Sequence, residues 1–352
     1  MVFFSHAWPG GGSATLAHMG RIPIALVSAV IETGAMGVFV FFMLSSYLIT
    51  ELLMREKEKT GTIHVKAFYA RRILRIWPLY VLFLACCFLI QPLTPNYSMS
   101  AGQLLSMFLL SGNWYFGIHG WGTSFTSHLW SISVEEQFYL VWPVFLRLAN
   151  RAMLRIGFSA LMVLSFLSVA FLCIRGDSAN PSIFTNSFVL CNFFALGAIT
   201  ALWMRGKVLA LSYPIRGLLV VVGMAIFTIV LMKLKIHHLG AVAAKDLLLA
   251  YALDDIACLA IFLGFLGGGL PSRTGFLVYL GKISYGLYVY HLICLAFARW
   301  LETDVLHKEH WPLSFPLTAA LTFVCASLSY RFIEEPFLRW KGKFEVIQSR
   351  RI

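Results

Sequence analysis

An ionisable side chain inside an otherwise apolar stretch is costly and usually marks a pathway or a site. Such residues are the natural place to look for chemistry in this sequence. His6 lies between Phe4 and Trp8. An imidazole can take a proton from a hydroxyl near neutral pH and return it. A histidine resting at headgroup level with one hydrogen bond is the plainer alternative. The run His128-Leu-Trp-Ser-Ile-Ser-Val-Glu-Glu-Gln-Phe-Tyr139 leads into a long apolar segment. Ser131 and Glu135 are four apart, so a helix puts them on one face, with Glu136 pointing elsewhere. Two adjacent carboxylates there are hard to explain as packing. One pairs with a cation, or one stays protonated, or they line water.

Phe68-Tyr-Ala-Arg-Arg-Ile-Leu-Arg-Ile-Trp-Pro-Leu-Tyr80 places three arginines where a basic loop becomes apolar. Arg72 and Arg75 face one way, and Arg71 lies one helical turn from Arg75. Guanidinium forks bind phosphate in bidentate fashion, so the pair suits a phosphorylated cofactor; topological charge beside anionic lipid is the simpler reading. Ser284, Tyr288 and His291 recur at spacings of four and three, which makes them candidate pore hydrogen-bonders, and Tyr285 suits an interfacial anchor. Glu334-Glu-Pro336 closes the last apolar segment, with Arg331 three residues earlier as the expected ion-pair partner of Glu334. Asp254 and Asp255 lie inside another segment, lining a wet cavity or snorkelling to the boundary.

The elements that must hold these residues follow from composition. Hydrophobic types make up 59% of the 352 residues and charged types 12%, with mean hydropathy +0.78. A soluble domain carries roughly 25% charged residues, so the solvent for much of this chain is lipid. The expected fold is all-α, a polytopic transmembrane bundle. Nine apolar runs approach the length of a span, near 34–54, 76–92, 129–146, 156–174, 187–204, 216–232, 247–268, 282–300 and 313–333. The apolar stub at 1–8 reads as the far end of a truncated first helix. The net charge of +12 would suggest nucleic acid in a soluble protein, but alternate loops carry 21 of the 28 Lys and Arg residues. That bias assigns the basic loops and the C-terminus to the cytoplasm and argues against nucleic acid as a partner. The same parity makes 104–127 a re-entrant or interfacial segment on the outer side, permitted where protein or a wet cavity satisfies its backbone. Residues 1–338 then form the membrane domain, and 339–352 a basic cytoplasmic tail. All seven cysteines fall in apolar runs without metal-ligand spacing, so no metal site is expected.

Taken together, these stretches resemble the acyltransferase 3 family of membrane O-acyltransferases. The matching residues are Ser5-His6; Gly37 to Ile49; Phe68 to Tyr80; Trp130-Ser-Ile-Ser-Val-Glu-Glu-Gln-Phe-Tyr139; Ile283-Ser-Tyr-Gly-Leu-Tyr288 with His291; and Glu334-Glu-Pro336. The Trp130–Tyr139 run is the most specific, and the ordered set spans nearly the whole chain. Departures are the short run ahead of His6, where the family carries an arginine, together with Leu44-Ser-Ser46 and Gly286. The resemblance implies a bacterial inner-membrane enzyme that moves an acyl group, usually acetyl, from acyl-CoA to a hydroxyl. The acceptor would be a sugar, in a cell-surface polysaccharide or a lipid-linked glycan. It implies catalytic or proton-handling roles for His6, Glu135 and Glu334, and a phosphate-holding role for Arg71, Arg72 and Arg75. Trp130, Ser131, Ser284, Tyr285, Tyr288 and His291 would line the substrate channel. A transporter of a sugar or lipid-linked intermediate is the main alternative, and a membrane protein without chemistry is a second.

Overall fold

In the computed structural model the described residues are 2–8, 21–177, 180–207, 209–234, 242–267, 275–307 and 311–347. Helices dominate in the order α1 (Val2–Ala7), α2 (Arg21–Glu32), α3 (Gly37–Thr60), α4 (Val65–Ile90), α5 (Ala101–Phe108), α6 (Gly112–His119), α7 (Trp130–Leu148) and α8 (Arg151–Ile174). There follow α9 (Ser182–Thr185), α10 (Cys191–Met204), α11 (Tyr213–Leu234), α12 (Ala244–Phe265), α13 (Gly275–Trp300), α14 (Trp311–Ser329) and α15 (Glu335–Lys341). Among the described residues no strand occurs.

Among the described residues, seven helical stretches are long and apolar enough to cross a membrane. Each of the nine apolar runs is mostly helical among the described residues, although 187–190 is a turn, and two of the runs fall outside those seven. Helix α7 carries Glu135, Glu136 and Arg147, and α10 has only 14 residues. The first crossing stretch starts earlier than its hydropathy suggests: α2 runs through a 3-10 turn into α3, giving a continuous Val27–Thr60. The 104–127 segment forms the two eight-residue helices α5 and α6, joined through Leu110 at φ 55. At roughly 1.5 Å per residue neither helix can cross. Met1, Arg273, Lys235, Lys308 and tail residues 348–352, all used in the charge argument or the span layout, lie outside the described residues.

The polar ends of the helices hold one face of the bundle together. Helix α3 stops at Gly61, whose φ of 78 lets its N–H reach the Lys57 carbonyl. Lys57 Nζ crosses to α7 and donates to the carbonyls of Leu146, Arg147 and Ala149 at 2.9–3.1 Å, capping that helix. Within the bundle, α3 and α10 approach so closely that a Cβ at Gly197 would lie 2.2 Å from the Met43 carbonyl oxygen. Close crossings of this kind use small residues because packing, not water exclusion, drives helix association in lipid. Two buried clusters result. One joins α3 with α8, α10, α11 and α12; the other joins α3 with α4, α7 and α13. The candidate site lies against the second.

Candidate active site

Seven of the expected site residues line one cavity of about 410 Å3, whereas His6, Arg71, Trp130, His291 and Glu334 lie outside its lining. Arg72 and Arg75 of α4, Ser131 and Glu135 of α7, and Ser284, Tyr285 and Tyr288 of α13 all line it. Ser131, Glu135 and Tyr139 form an i, i+4, i+8 stripe along α7, so the polar wall runs for about 12 Å. The opposite wall is apolar, with Val38, Phe41, Leu44 and Leu48 of α3.

At one end, Arg72 and Arg75 also line a smaller recess with Arg71, Lys341 and Glu345. The three arginines are not equivalent. Arg71 is buried, donates to the Phe344 carbonyl at 2.5 Å and lies 3.6 Å from Glu56. Glu56 in turn accepts from the backbone N–H of His64 at 2.6 Å, so this knot closes the α3–α4 turn and folds the tail over it. Arg72 stacks its guanidinium over Tyr139, 4.7 Å from the ring centroid. Among the described residues, neither Arg72 nor Arg75 has its guanidinium tied up in a salt bridge. The tail expected to be a plain basic anchor thus contributes Lys341 and Glu345 to the recess.

Glu135 is buried and accepts from Ser45 Oγ at 2.6 Å and from Tyr139 OH, while Ser45 and Tyr139 also meet at 2.6 Å. Glu136 faces away and accepts from Trp77 Nε1 at 3.2 Å. Trp130 does not line the cavity; its ring packs 6.3 Å from that of Phe42. Tyr285 donates to the Ile76 carbonyl at 3.0 Å, tying α13 to α4 instead of anchoring at an interface. Ser284 bonds the Gly281 carbonyl of its own helix at 2.9 Å.

Glu334 differs from its sequence reading. It is buried, and a π-helical turn over Tyr330–Glu334 separates it from Arg331, which packs over Phe332 at 5.7 Å. A π turn shifts the side-chain register, so the expected i, i+3 ion pair does not form. Glu334 instead accepts from Ser329 at 3.5 Å, and Arg75 is the cation within its electrostatic reach. Gly286 makes room for it: a Cβ there would lie 3.3 Å from Glu334 Oε1. Asp254 and Asp255 are 1% and 8% exposed, which rules out snorkelling; Asp255 accepts from Asn192 at 2.8 Å.

At the other end of the cavity, Val2 of α1 joins the lining, one helical turn before His6. His6 Nδ1 and His291 Nε2 are 2.8 Å apart, with ring planes parallel to within 1°. His291 lies three residues beyond Tyr288, about 4.5 Å farther along α13. Its Nδ1 sits 2.6 Å from the Tyr288 carbonyl, which can only accept. Both tautomers follow from this network. His291 carries its proton on Nδ1 and accepts at Nε2; His6 donates from Nδ1, leaving Nε2 as a lone pair. Trp8 Nε1 bonds Ser28 at 2.9 Å and Arg299 reaches the His6 carbonyl at 3.5 Å, fixing the short helix. Tyr288 OH donates to the His128 carbonyl at 2.5 Å and accepts from Ser131 at 2.6 Å.

His128 has no role in the sequence reading. It is 5% exposed, edge-on to His291 at 4.7 Å, and neither ring nitrogen has a partner among the described residues. Its spacing of three from Ser131 was the available signal, as the spacing of four from Glu135 was for Tyr139. No group of three His, Cys, Asp or Glu among the described residues could hold a metal ion.

Comparison with known families identifies the scaffold. The model of an acyltransferase domain, acyltransferase 3, matches residues 1–331. The chain belongs to the acyltransferase 3 family. It is therefore a multi-pass membrane protein of an acyltransferase family, as its apolar helices require. It is 28% identical over 353 residues to O-acetyltransferase OatA of Staphylococcus aureus strain NCTC 8325 / PS 47, and likewise to OatA of strain COL. Each alignment covers 94% of this chain and 57% of the relative, so the chain spans a little over half the length of these curated relatives. No solved structure matches it.

Proposed function

We propose that the chain is a membrane O-acetyltransferase that moves an acetyl group from acyl-CoA to a sugar hydroxyl of a cell-surface polysaccharide or lipid-linked glycan. The carrying observation is a cavity lined both by Arg72 and Arg75 and by Val2 and Tyr288, which stand one helical turn from the hydrogen-bonded His6 and His291, themselves outside its lining. In this reading the basic face is cytoplasmic, in the inner membrane of a bacterium. Arg72 and Arg75, aided by Lys341, bind the phosphates of the donor through charge-assisted hydrogen bonds. The pantetheine arm follows the α7 stripe toward α1, and the apolar α3 wall excludes water from the thioester.

A thioester is already activated, so positioning and one proton are what the protein must supply. His6 Nε2 takes the proton from the acceptor hydroxyl as its oxygen bonds to the thioester carbonyl carbon. Collapse of the tetrahedral intermediate breaks the C–S bond, and the proton on Nε2 passes to the leaving sulfur. His291 holds His6 in the required tautomer and accepts from the imidazolium. Glu135 holds Tyr139 and Ser45, and Tyr139 in turn offers its ring to Arg72. A transporter needs no such tautomer-fixed base. The test is release of free thiol from acetyl-CoA by purified protein in proteoliposomes with a membrane glycan extract. No thiol release above the His6→Ala protein would sink the proposal. Loss of an O-acetyl signal from the surface glycans of a deletion strain would name the acceptor.

A further inference from the structure

The face that carries Arg71, Arg72 and Arg75 also holds a larger groove that the proposed reaction leaves unused. Its volume is about 880 Å3. It shares no lining residue with the catalytic cavity or the arginine recess. Its walls are the last turns of α3, the first turns of α8 and the end of α10. The groove exists because α10 stops early. Its 14 residues extend about 21 Å, against roughly 30 Å of hydrocarbon core. Arg205 ends the helix at φ 46 and Gly206 follows at φ 72, so the chain turns away and leaves a notch.

The lining is amphiphilic in a definite order. Phe158, Leu202 and Trp203 supply an apolar wall, and Trp203 is 68% exposed. Arg55 stands on α3, Arg155 on α8 and Arg205 just past the end of α10, opposed by Glu51 and Glu58. Arg55 is engaged by Glu51 at 3.8 Å, whereas Arg155 and Arg205 are exposed and have no carboxylate partner among the described residues. The groove thus carries one net positive charge beside an uncovered apolar strip.

We infer that this groove binds one anionic phospholipid. Its phosphodiester sits between Arg155 and Arg205, and an acyl chain lies along Phe158, Leu202 and Trp203. A single phosphodiester matches the net charge, and guanidinium forks suit its two free oxygens. A soluble phosphate or nucleotide would leave the apolar strip and Trp203 bare, whereas an acyl chain covers both. Tryptophan at the level of the headgroups is the usual anchor at such a boundary. Because α3 supplies Ser45 to the catalytic cavity and Arg55 to this groove, the bound lipid would brace the helix that forms the apolar wall of the active site.

Native mass spectrometry of the full chain in neutral detergent tests this, with phosphatidylglycerol and phosphatidylcholine of identical chains as probes. No acyl donor is present, so the outcome is independent of whether the chain is an acetyltransferase. The expected result is one retained phosphatidylglycerol, bound about tenfold more tightly than phosphatidylcholine. Arg155→Gln/Arg205→Gln should weaken it by about the same factor. Ser159→Trp, which fills the groove without altering charge, should also abolish retention and serves if the charge variant folds poorly. Equal retention of both lipids, or undiminished phosphatidylglycerol in both variants, overturns the inference. Displacement of the lipid by equimolar glycerol 3-phosphate or coenzyme A also overturns it, and reassigns the groove to a free phosphate.

Discussion

Replacing His291 by phenylalanine tests the catalytic reading at its most specific point. The ring is kept, but His6 Nδ1–H loses its acceptor at 2.8 Å. His6 is part-buried, so leaving its donor unpaired costs at most the roughly 1–3 kcal/mol of a fully buried group. His6 escapes that cost by moving its proton to Nε2, the atom needed as base. If the whole penalty falls on the transition state, kcat drops about 5- to 150-fold. The KM for acetyl-CoA should hold, because the arginines that bind its phosphates lie at the other end of the cavity. His6→Ala removes the base itself and should cost about 10²- to 10⁴-fold. Since His291 acts only through His6, the double variant should be no slower than His6→Ala alone. The assay is initial-rate thiol release in proteoliposomes across acetyl-CoA concentrations. Losses that multiply in the double variant would refute the coupling, as would His291→Phe running within twofold of the parent.

Three further outcomes follow from the geometry. Arg75→Ala should raise the KM for acetyl-CoA, and isothermal titration with coenzyme A measures the lost affinity. Arg71→Ala should instead destabilise the fold by about 1–3 kcal/mol, because it removes the guanidinium that ties the buried Glu56 carboxylate to the tail and leaves that carboxylate only its His64 contacts, and a thermal melt in detergent reads it. Gly197→Ala should be among the most damaging single-methyl changes, at about 3 kcal/mol or more, since backbone at Met43 cannot yield as a side chain would; fluorescence-detected size exclusion shows whether protein accumulates folded.

What the sequence determined is what depends on local pattern. Hydropathy runs produce helices wherever they occur, because lipid forces each backbone to bond within itself. The α7 stripe of Ser131 and Glu135 and the pairing of Arg72 with Arg75 are set by 3.6 residues per turn, so they were legible one element at a time. The family motifs pointed to His6 and His291 separately. Only the packing of α1 against α13 decided that the two imidazoles, 285 residues apart, share a hydrogen bond and thereby fix the free nitrogen of His6. Tertiary structure likewise divided three similar arginines, burying Arg71 in a knot with Glu56 and the tail while leaving Arg72 and Arg75 to face the cavity. It moved Glu334 from Arg331 to the field of Arg75 through one π turn, and it buried His128 beside His291. Each of these depends on which helix faces lie against each other. That is a property of shape and volume summed over the bundle, and no window of adjacent residues contains it.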